Sequence, residues 1–492
     1  MNQRRRIAVV GSGIAGLAAA HRAVEKASGE VDVVLFERNE KPGGVLETVH
    51  EDGFQIEQSV DNFITTLPWG LSLCERLGLS DRLVQTDPRY RRTYVVAKGR
   101  LRRLPDGFMM MAPTRMWPLA LTPILSPLGK LRAAMEYFIP ARKDPADESM
   151  ASFVRRRLGR EAFDRLVEPL VSAVYAADME TLSVNATLSR FREMEREHGS
   201  LIRAMRRQGA QRRREARQPP GGGQSGARHS LFVTIRTGIR TLVDEIVRRL
   251  PEGSVRTGAA VDALYREPDG TWRLAVGRAS ETFDAVVLAT PSYETAGLVA
   301  AVDPVLSERL GLIEHSGTAI ISTAFRESQV RHPLDGAGAV VPGVEKSPLL
   351  AISFSNRKYP YRAPEGTVLL RTFVGGHRAP EMAEMEDDRL ERIVLAELDR
   401  LVGIEGKPIY TSIAHWPRTM PQYRVGHLDL VAEIDRRVAE LPGLELAGNA
   451  YRGVGLPDCI HGGETAVERI LEGFGKRLVR EGEPRVNAKQ RE

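Results

Sequence analysis

Two short apolar runs near the start of the chain flank a segment of helical character. Residues 7–10 (IAVV) and 31–36 (VDVVLF) are almost continuously apolar, which is typical of strands buried on both faces of a parallel sheet. The stretch LAAAHRAVEKA at 17–27 lies between them and has helical character. A strand, a helix and a second strand in this order predict a parallel α/β unit at the start of the chain.

The turn between the first strand and the helix has the sequence GSGIAG. Gly11 permits a tight turn, Gly13 lets the backbone approach a pyrophosphate, and Gly16 lets the helix pack closely on the strand. Free N–H groups and the positive dipole end of the helix also favour phosphates. Glu37 ends the second strand, where a carboxylate is expected to accept hydrogen bonds from an adenosine ribose. The sequence therefore predicts a dinucleotide site.

Length and composition indicate a soluble globular protein. The 492 residues are 42% hydrophobic and 27% charged, which argues against a disordered, collagen-like or multi-span membrane chain. Because single cores stop growing at roughly 250–300 residues, we expect two or three structural units. Two cysteines, Cys74 and Cys459, cannot build a disulfide scaffold, and we expect no signal peptide. These features favour a reduced, cytoplasmic location.

Positive charge is concentrated in one segment. The formal net charge is +6, yet residues 203–228 alone hold eight arginines and one acidic residue. Their Arg/Gln-rich and then Pro/Gly-rich composition predicts a solvated, flexible insertion, with contact to anionic lipid as the alternative. No aromatic residues are interleaved for base stacking, so we expect no nucleic-acid partner.

The residues after Glu37 narrow the choice of dinucleotide cofactor. The stretch ERNEKPGGVLET carries Gly43 and Gly44, and this arrangement resembles the FAD-dependent amine oxidase and phytoene desaturase superfamily. The resemblance implies that the paired glycines lie near the FAD pyrophosphate and that Arg38 lies beside the adenosine. Outside this context, Gly43 and Gly44 would predict only a surface turn.

Later segments resemble other parts of the same FAD site. In SVRTGAAVDALYRE, Val261 falls in the strand region that touches adenine, and FDAVVLATP resembles the strand that returns the chain to the substrate domain. Near the C-terminus, LELAGNAYRGVGLPDCIHGGETAVERI resembles the closing FAD motif. The resemblance implies a helix that starts around Asp458 and aims its N-terminus at the flavin. It also implies backbone contacts to phosphate, ribitol and isoalloxazine at Gly448, Asn449, Gly453, Val454 and Gly455. Cys459 differs in setting from the cysteine of covalent flavoenzymes, so the FAD is expected to be non-covalent.

Residues 149–191 are similar to a run in the porphyrinogen oxidases of haem biosynthesis, except that Ala173 and Ala177 replace glycines. The resemblance covers nearly the whole chain apart from the arginine-rich insertion and the polar tail. It implies oxidation of a porphyrinogen to the aromatic porphyrin, with hydride transfer to flavin N5 and reoxidation by dioxygen to give hydrogen peroxide. A homodimer and a ferrochelatase-type pathway partner are further expectations.

A porphyrinogen needs an apolar slot and cations for its rim carboxylates. Basic residues crowd DPRYRRTYVVAKGRLRRLP at 87–105, where Arg92 matches the family arginine that pairs with a propionate. A solvated basic hairpin is the plainer interpretation of the segment. By resemblance, Leu334, Val340 and Tyr359 fall near the positions that sandwich the macrocycle, although each could be ordinary core.

The segment 108–140 raises the question of a membrane. Its longest uncharged run, Met116 to Gly129, is 14 residues with three prolines, and spanning a bilayer takes about 20 apolar residues. We expect no membrane span. The segment either lines the substrate entrance and dips into one leaflet, giving peripheral contact at the inner face of the cell membrane, or packs on its own core.

The predicted fold is α/β (α+β), with a Rossmann-type FAD-binding domain of the amine oxidase kind, a mixed-sheet substrate domain and a helical membrane-associating subdomain. The expected bounds are 1–86, 229–292 and 425–485 for the FAD-binding domain, 87–186 for the helical subdomain, 187–228 for a connecting helix and flexible insertion, 293–424 for the substrate domain, and 486–492 for a polar tail.

Alternatives remain at this point. One alternative is a different flavoenzyme of the superfamily, an amine oxidase or a carotenoid desaturase. For such an enzyme we would expect fewer basic residues at the entrance to the substrate site. A catalytically weak binding module is a further alternative. Between substrates, Arg357, Lys358 and Arg362 favour coproporphyrinogen III slightly over protoporphyrinogen IX. The histidines are scattered, no metal site is predicted, and no side chain stands out as a general base.

Overall fold

The structure is a computed structural model that describes residues 4–27, 29–215 and 231–481. Its strands are β1 Arg5–Val10, β2 Val31–Phe36, β3 Thr48–Glu51, β4 Phe54–Glu57, β5 Phe63–Ile64, β6 Leu83–Gln85, β7 Thr93–Ala97, β8 Arg100–Arg103, β9 Phe108–Met109, β10 Ala112–Pro113, β11 Phe232–Ile235, β12 Val255–Arg256, β13 Ala263–Arg266, β14 Trp272–Val276, β15 Ala279–Phe283, β16 Ala285–Leu288, β17 His315–Arg326, β18 Gly338–Val340, β19 Leu349–Phe354, β20 Thr367–Gly375, β21 Tyr410–Pro421 and β22 Leu444–Leu446.

The α-helices of the same residues are α1 Ile14–Ala27, α2 Pro68–Arg76, α3 Met116–Leu121, α4 Pro127–Ala134, α5 Met150–Leu158, α6 Arg160–Ala162, α7 Glu168–Tyr175, α8 Val184–His198, α9 Leu201–Glu215, α10 Arg240–Arg249, α11 Ser292–Val299, α12 Pro304–Gly311, α13 Ser355–Lys358, α14 Asp387–Val402, α15 His427–Ala439 and α16 Leu456–Glu481.

A parallel sheet of five strands, in the order β12–β2–β1–β16–β22, forms the first unit. Ile7 and Val9 of β1 face a core shared with α1, α10 and α16, whereas Ala8 and Val10 face a second core beneath β13–β15, α11, α12 and α15. Both faces are covered, which explains why the strands are continuously apolar in sequence. The predicted Rossmann-type sheet is therefore present, and it joins segments that are distant along the chain.

The second sheet is mixed and has the order β21–β17–β20–β19–β18–β7–β8. Helix α14 packs on one face, where Leu390, Val394 and Leu398 are fully buried. Strand β7 pairs in parallel with β18, with Thr93 opposite Gly338. Residues 93–103 thus belong to this sheet, which corrects their expected place in the helical subdomain.

Helices α3 to α9 form the third unit, which packs around an apolar core that includes Phe153, Leu166 and Phe191. A buried ion pair of Arg157 with Glu136 crosses this unit. Glu136 also accepts hydrogen bonds from Ser200 Oγ at 2.6 Å and from two backbone N–H groups at the start of α9.

The arginine-rich segment is helical as far as Glu215, because Glu136 fixes the first turn of α9. This corrects the expected flexible insertion for residues 203–215, while residues 216–228 and the tail 486–492 lie outside the described residues. Among the described helices, none is long and apolar enough to cross a membrane.

Candidate functional site

The loop between β1 and α1 has the geometry of a phosphate-binding turn. Gly11 has φ +96°, and a Cβ on Gly16 would lie 1.9 Å from the Gly11 carbonyl oxygen, so neither position accommodates a side chain. A Cβ on Gly13 would meet no atom within 4 Å, so this residue faces open space. The first turn of α1 directs its N–H groups to the same side of the loop.

Glu37 lies at the end of β2, beside this loop. It is 5% exposed, and its carboxylate accepts hydrogen bonds from Ser12 N at 3.0 Å and Asn39 N at 2.8 Å. A carboxylate has about four acceptor positions, so Glu37 keeps capacity for a ribose hydroxyl. The expected neighbour Val261 is half-buried and follows Ala259, whose N–H donates to the Glu37 carbonyl at 2.8 Å.

The paired glycines lie against the first glycine loop. Gly43 N–H donates to the Ser12 carbonyl at 3.0 Å, and a Cβ on Gly44 would lie 3.2 Å from Gly13 Cα. Both have positive φ, +121° and +58°. Arg38 is exposed and pairs with Glu294 of α11 at 2.9 Å. The structure thus brings the predicted pyrophosphate and adenosine residues of the N-terminal part together.

The C-terminal motif approaches the same region from the other side. A Cβ on Gly448, which has φ +129°, would again meet open space. Tyr423 is 1% exposed and fixes the loop that follows: its hydroxyl contacts the Asn449 carbonyl and accepts a hydrogen bond from Gly453 N at 2.8 Å. Burial raises the pKa of Tyr423, so the hydroxyl keeps its proton and can donate to Asn449. Sequence reasoning missed Tyr423 because it lies outside the recognised motif.

Helix α16 starts at Leu456, two residues before the expected Asp458. The Asp458 side chain folds over the preceding turn, where a Cβ on Gly453 or Gly455 would lie 2.6 or 2.7 Å from its atoms. Burial raises the pKa of this carboxyl. Val454, between the two glycines, packs against the core of the helical unit. The loop 448–455 therefore lies where the first and third units meet.

One face of the mixed sheet also points to this junction. Val340, Ala351 and Phe373 are paired side by side across β18, β19 and β20. Val340 and Ala351 pack in the same cluster as Val454, and Phe373 next to them is only half-buried. This row forms an apolar surface on the face of the sheet that shares a core with Val454 of the loop 448–455. Phe373 was not predicted, although its position in an alternating strand was the signal for it.

The other two expected macrocycle contacts lie elsewhere. Leu334 is 1% exposed and packs with Phe354 on the α14 side of the sheet, the face opposite to Val340. Tyr359 is fully buried, with its ring 4.3 Å from the Arg362 guanidinium. The expectation that Leu334 and Val340 flank one ligand is corrected, because a one-residue change of register moves a side chain to the other face of the sheet. The expected contact of Tyr359 with a macrocycle stays a prediction.

Arg92 precedes β7 at the edge of the mixed sheet. Its side chain is 53% exposed and lies 3.4 Å from Asp335, which Arg103 contacts at 2.8 Å. The charge of Arg92 is therefore accessible, as a carboxylate-binding role requires.

Among the described residues, no group of His, Cys, Asp and Glu could hold a metal ion. Cys74 and Cys459 are buried and free, and burial raises the pKa of each thiol to about 12. Neither thiol is poised as a nucleophile.

A family model described as flavin containing amine oxidoreductase matches residues 14–471. The chain belongs to this family. This family member is therefore a flavin-dependent oxidoreductase.

Relatives of the family member match it over nearly its full length. A coproporphyrinogen III oxidase from Propionibacterium freudenreichii subsp. freudenreichii is 35% identical, over 95% of this chain and 90% of its own. One from Bacillus subtilis (strain 168) is 32% identical, over 95% and 98%. A crystal structure of a protein assigned as a protoporphyrinogen oxidase from Exiguobacterium sp. 255-15 is 30% identical, with a TM-score of 0.84 over 96% of this chain and 99% of its own.

Proposed function

We propose that this protein is a porphyrinogen oxidase of haem biosynthesis that converts coproporphyrinogen III to coproporphyrin III. The observation that carries the proposal is full-length similarity, at 32% and 35% identity, to two coproporphyrinogen III oxidases. Protoporphyrinogen IX is the alternative substrate, in keeping with the assignment of the Exiguobacterium structure.

The cofactor we propose is non-covalent FAD. Gly13 and Gly448 offer open backbone surface from two sides for a pyrophosphate, and Glu37 offers acceptors to an adenosine ribose. The buried thiols make a cysteinyl link to the flavin unfavourable. Acid precipitation should therefore release all flavin into the supernatant as FAD, whereas flavin retained in the pellet would contradict the non-covalent assignment.

The chain's own residues bind and orient the substrate. The row of Val340, Ala351 and Phe373 supplies an apolar surface for the macrocycle. Arg92, at the sheet edge, supplies an exposed guanidinium for a propionate that extends past this edge toward Asp335, which Tyr94 contacts from the α14 side. FAD would supply the hydride acceptor for each of the three two-electron oxidations that separate a porphyrinogen from its porphyrin, with one dioxygen reduced to hydrogen peroxide in each. The helical unit lies over this face of the sheet and would limit the access of water to a bound macrocycle.

The preference for coproporphyrinogen III rests on charge. This substrate carries four propionates, whereas protoporphyrinogen IX carries two propionates and two vinyl groups. The test is aerobic turnover of each porphyrinogen by the FAD-loaded protein, followed by porphyrin fluorescence and oxygen uptake. We expect a higher kcat/KM for coproporphyrinogen III, with hydrogen peroxide as co-product. A higher value for protoporphyrinogen IX would select the alternative, and no turnover of either would refute the function.

We also propose peripheral contact with a membrane through α3, α4 and the turn that follows α4. Large apolar side chains are exposed there, namely Trp117 (78%), Leu121 (76%), Leu128 (78%), Leu131 (62%) and Phe138 (77%). The arginine-rich helix α9 lies beside them, with the Arg203 guanidinium 4.5 Å from the Tyr137 ring. Apolar side chains next to cations favour an anionic bilayer.

Vesicle sedimentation tests the membrane proposal. The protein should pellet with phosphatidylglycerol vesicles at low salt, and the double variant Trp117→Ser/Leu128→Ser should stay in solution. Leu312→Ser, at an exposed leucine that follows α12 in the first unit, is the matched control. Equal sedimentation of all three proteins would contradict the proposal.

A further inference from the structure

Five ionisable side chains form a buried cluster where β19 ends and β20 begins. Asp61 forms ion pairs with Lys358, Arg362 and Arg371, and Glu57 lies 3.5 Å from Arg362. Three cations therefore meet two carboxylates. Burial opposes the ionisation of Asp61, but the three cations outweigh it and hold the pKa of Asp61 well below its usual range.

Both arginines of this cluster donate hydrogen bonds within it, although Arg362 Nε, Arg371 Nε and Arg371 Nη1 are buried without a hydrogen-bond partner among the described residues. Arg362 donates to the Asp61 carbonyl at 3.1 Å and to Thr234 Oγ1 at 3.3 Å, and Arg371 donates to the Ser59 carbonyl at 2.6 Å. Each arginine side chain is 1% exposed. They hold Asp61 in place and are closed to a ligand.

Lys358 differs from the arginines in access. Its side chain is 13% exposed, and its ammonium group, which has three hydrogens, contacts Asp61. Among the cations of the cluster, Lys358 alone is open to the outside. The sequence had grouped Arg357, Lys358 and Arg362 as one basic set, but Arg357 pairs with Glu327 at 2.8 Å and Arg362 is buried.

The position of Lys358 relates it to the proposed substrate cleft. Arg371 lies two residues before Phe373 on β20, on the same face of the sheet. The cluster thus adjoins the apolar row at Phe373, whose ring lies 5.1 Å from the Arg371 guanidinium. Lys358 also accepts a hydrogen bond at its carbonyl from Asp87 N at 2.9 Å, at the start of the segment that leads to Arg92.

We infer that Lys358 binds a carboxylate at the rim of the porphyrinogen, as a second anchor besides Arg92. The inference rests on the proposed function. An excess of one positive charge in a buried cluster is costly unless an anion is close by, and a propionate supplies that anion. Two ring positions carry propionate in coproporphyrinogen III and vinyl in protoporphyrinogen IX, and we place Lys358 at one of these two positions, where a vinyl group offers no acceptor. Lys358 is thus a specificity-determining residue for coproporphyrinogen III.

The test compares Lys358→Met with Lys407→Met, a matched change at an exposed lysine. We expect Lys358→Met to lower kcat/KM for coproporphyrinogen III about tenfold to a hundredfold, as the loss of one charge-assisted hydrogen bond implies, and to lower it much less for protoporphyrinogen IX. Lys358→Arg should restore most of the preference. An equal loss with both substrates, or no loss, would overturn the inference.

A second variant guards against misfolding. Lys358→Gln keeps a neutral hydrogen-bond donor beside Asp61, so the carboxylate that Arg362 and Arg371 share stays in place. It should lose the same preference. Quenching of coproporphyrin III fluorescence gives a binding readout independent of turnover, with affinity about tenfold weaker in both variants and unchanged in Lys407→Met. If the unaltered protein oxidises neither porphyrinogen, the proposed function fails, whereas the titration still decides the role of Lys358.

Discussion

Close contact between α1 and α16 gives a sharp test of the dinucleotide site. A Cβ built on Gly463 of α16 would lie 2.0 Å from the Ala15 carbonyl oxygen, in the first turn of α1. Real Cβ atoms stay beyond 3.0 Å from such an oxygen, so Gly463→Ala must move the two helices apart by about 1 Å. Because α1 begins at the glycine loop, the displacement reaches the phosphate-binding N–H groups.

The magnitude follows from two opposing effects. Replacing glycine by alanine inside a helix stabilises it by about 1 kcal/mol, whereas overpacking costs about 1–3 kcal/mol or more. Since the contact involves backbone rather than a flexible side chain, overpacking should win, for a net loss of about 1–2 kcal/mol. We also expect FAD affinity to fall about tenfold.

The same helix supplies a matched control. A Cβ on Gly473 would meet no atom within 4 Å, and the residue is exposed. Gly473→Ala should therefore stabilise the protein by about 0.5–1 kcal/mol. Urea unfolding and titration of the apoprotein with FAD measure both effects. If Gly463→Ala is as stable as Gly473→Ala and binds FAD normally, the packing of α1 on α16 is misassigned.

Three further predictions concern buried polar groups. Tyr423→Phe removes the hydroxyl that links Asn449 and Gly453. The free energy of unfolding, measured with urea, should drop by about 2–3 kcal/mol, and FAD titration should show weaker affinity. Wild-type values in both assays would show that another group holds the loop. Burial lowers the pKa of His315 to about 4. Because the histidine of the unfolded chain takes up a proton first, the free energy of unfolding should fall by about 3 kcal/mol between pH 6.5 and pH 4. His315→Gln should flatten this stretch of the stability–pH curve, and an unchanged slope would contradict the prediction. Asp61→Asn leaves three buried cations without their shared partner and should cost about 3–5 kcal/mol by the same unfolding assay, whereas a neutral effect would mean that the cluster is solvated.

The nucleotide unit was predictable because its chemistry constrains the local sequence. Only glycine suits the turn at Gly11 and the contact at Gly16, and the buried strands must be continuously apolar. Each feature is local in sequence, so spacing alone placed Glu37 beside the loop, as the Ser12 hydrogen bond shows.

The substrate side was less predictable because long-range pairing decides it. Residues 93–103 were assigned to the helical subdomain, but their partner strand lies more than 200 residues later. Leu334 and Val340 are close in sequence, yet the pleat of β18 and the path of the residues before it place them on opposite faces of the sheet. Composition gave the wrong expectation for residues 203–215, since the start of their helix at Leu201 depends on hydrogen bonds to the distant Glu136.

Reduction of the bound flavin by coproporphyrinogen III, mixed anaerobically with the FAD-loaded protein in a stopped-flow spectrophotometer, tests the central claim most directly. The account predicts that the absorption band of oxidised flavin bleaches while the porphyrin Soret band grows, and that admitting dioxygen restores the flavin band with release of hydrogen peroxide. A flavin that stays oxidised in the presence of excess coproporphyrinogen III and of excess protoporphyrinogen IX would contradict the account.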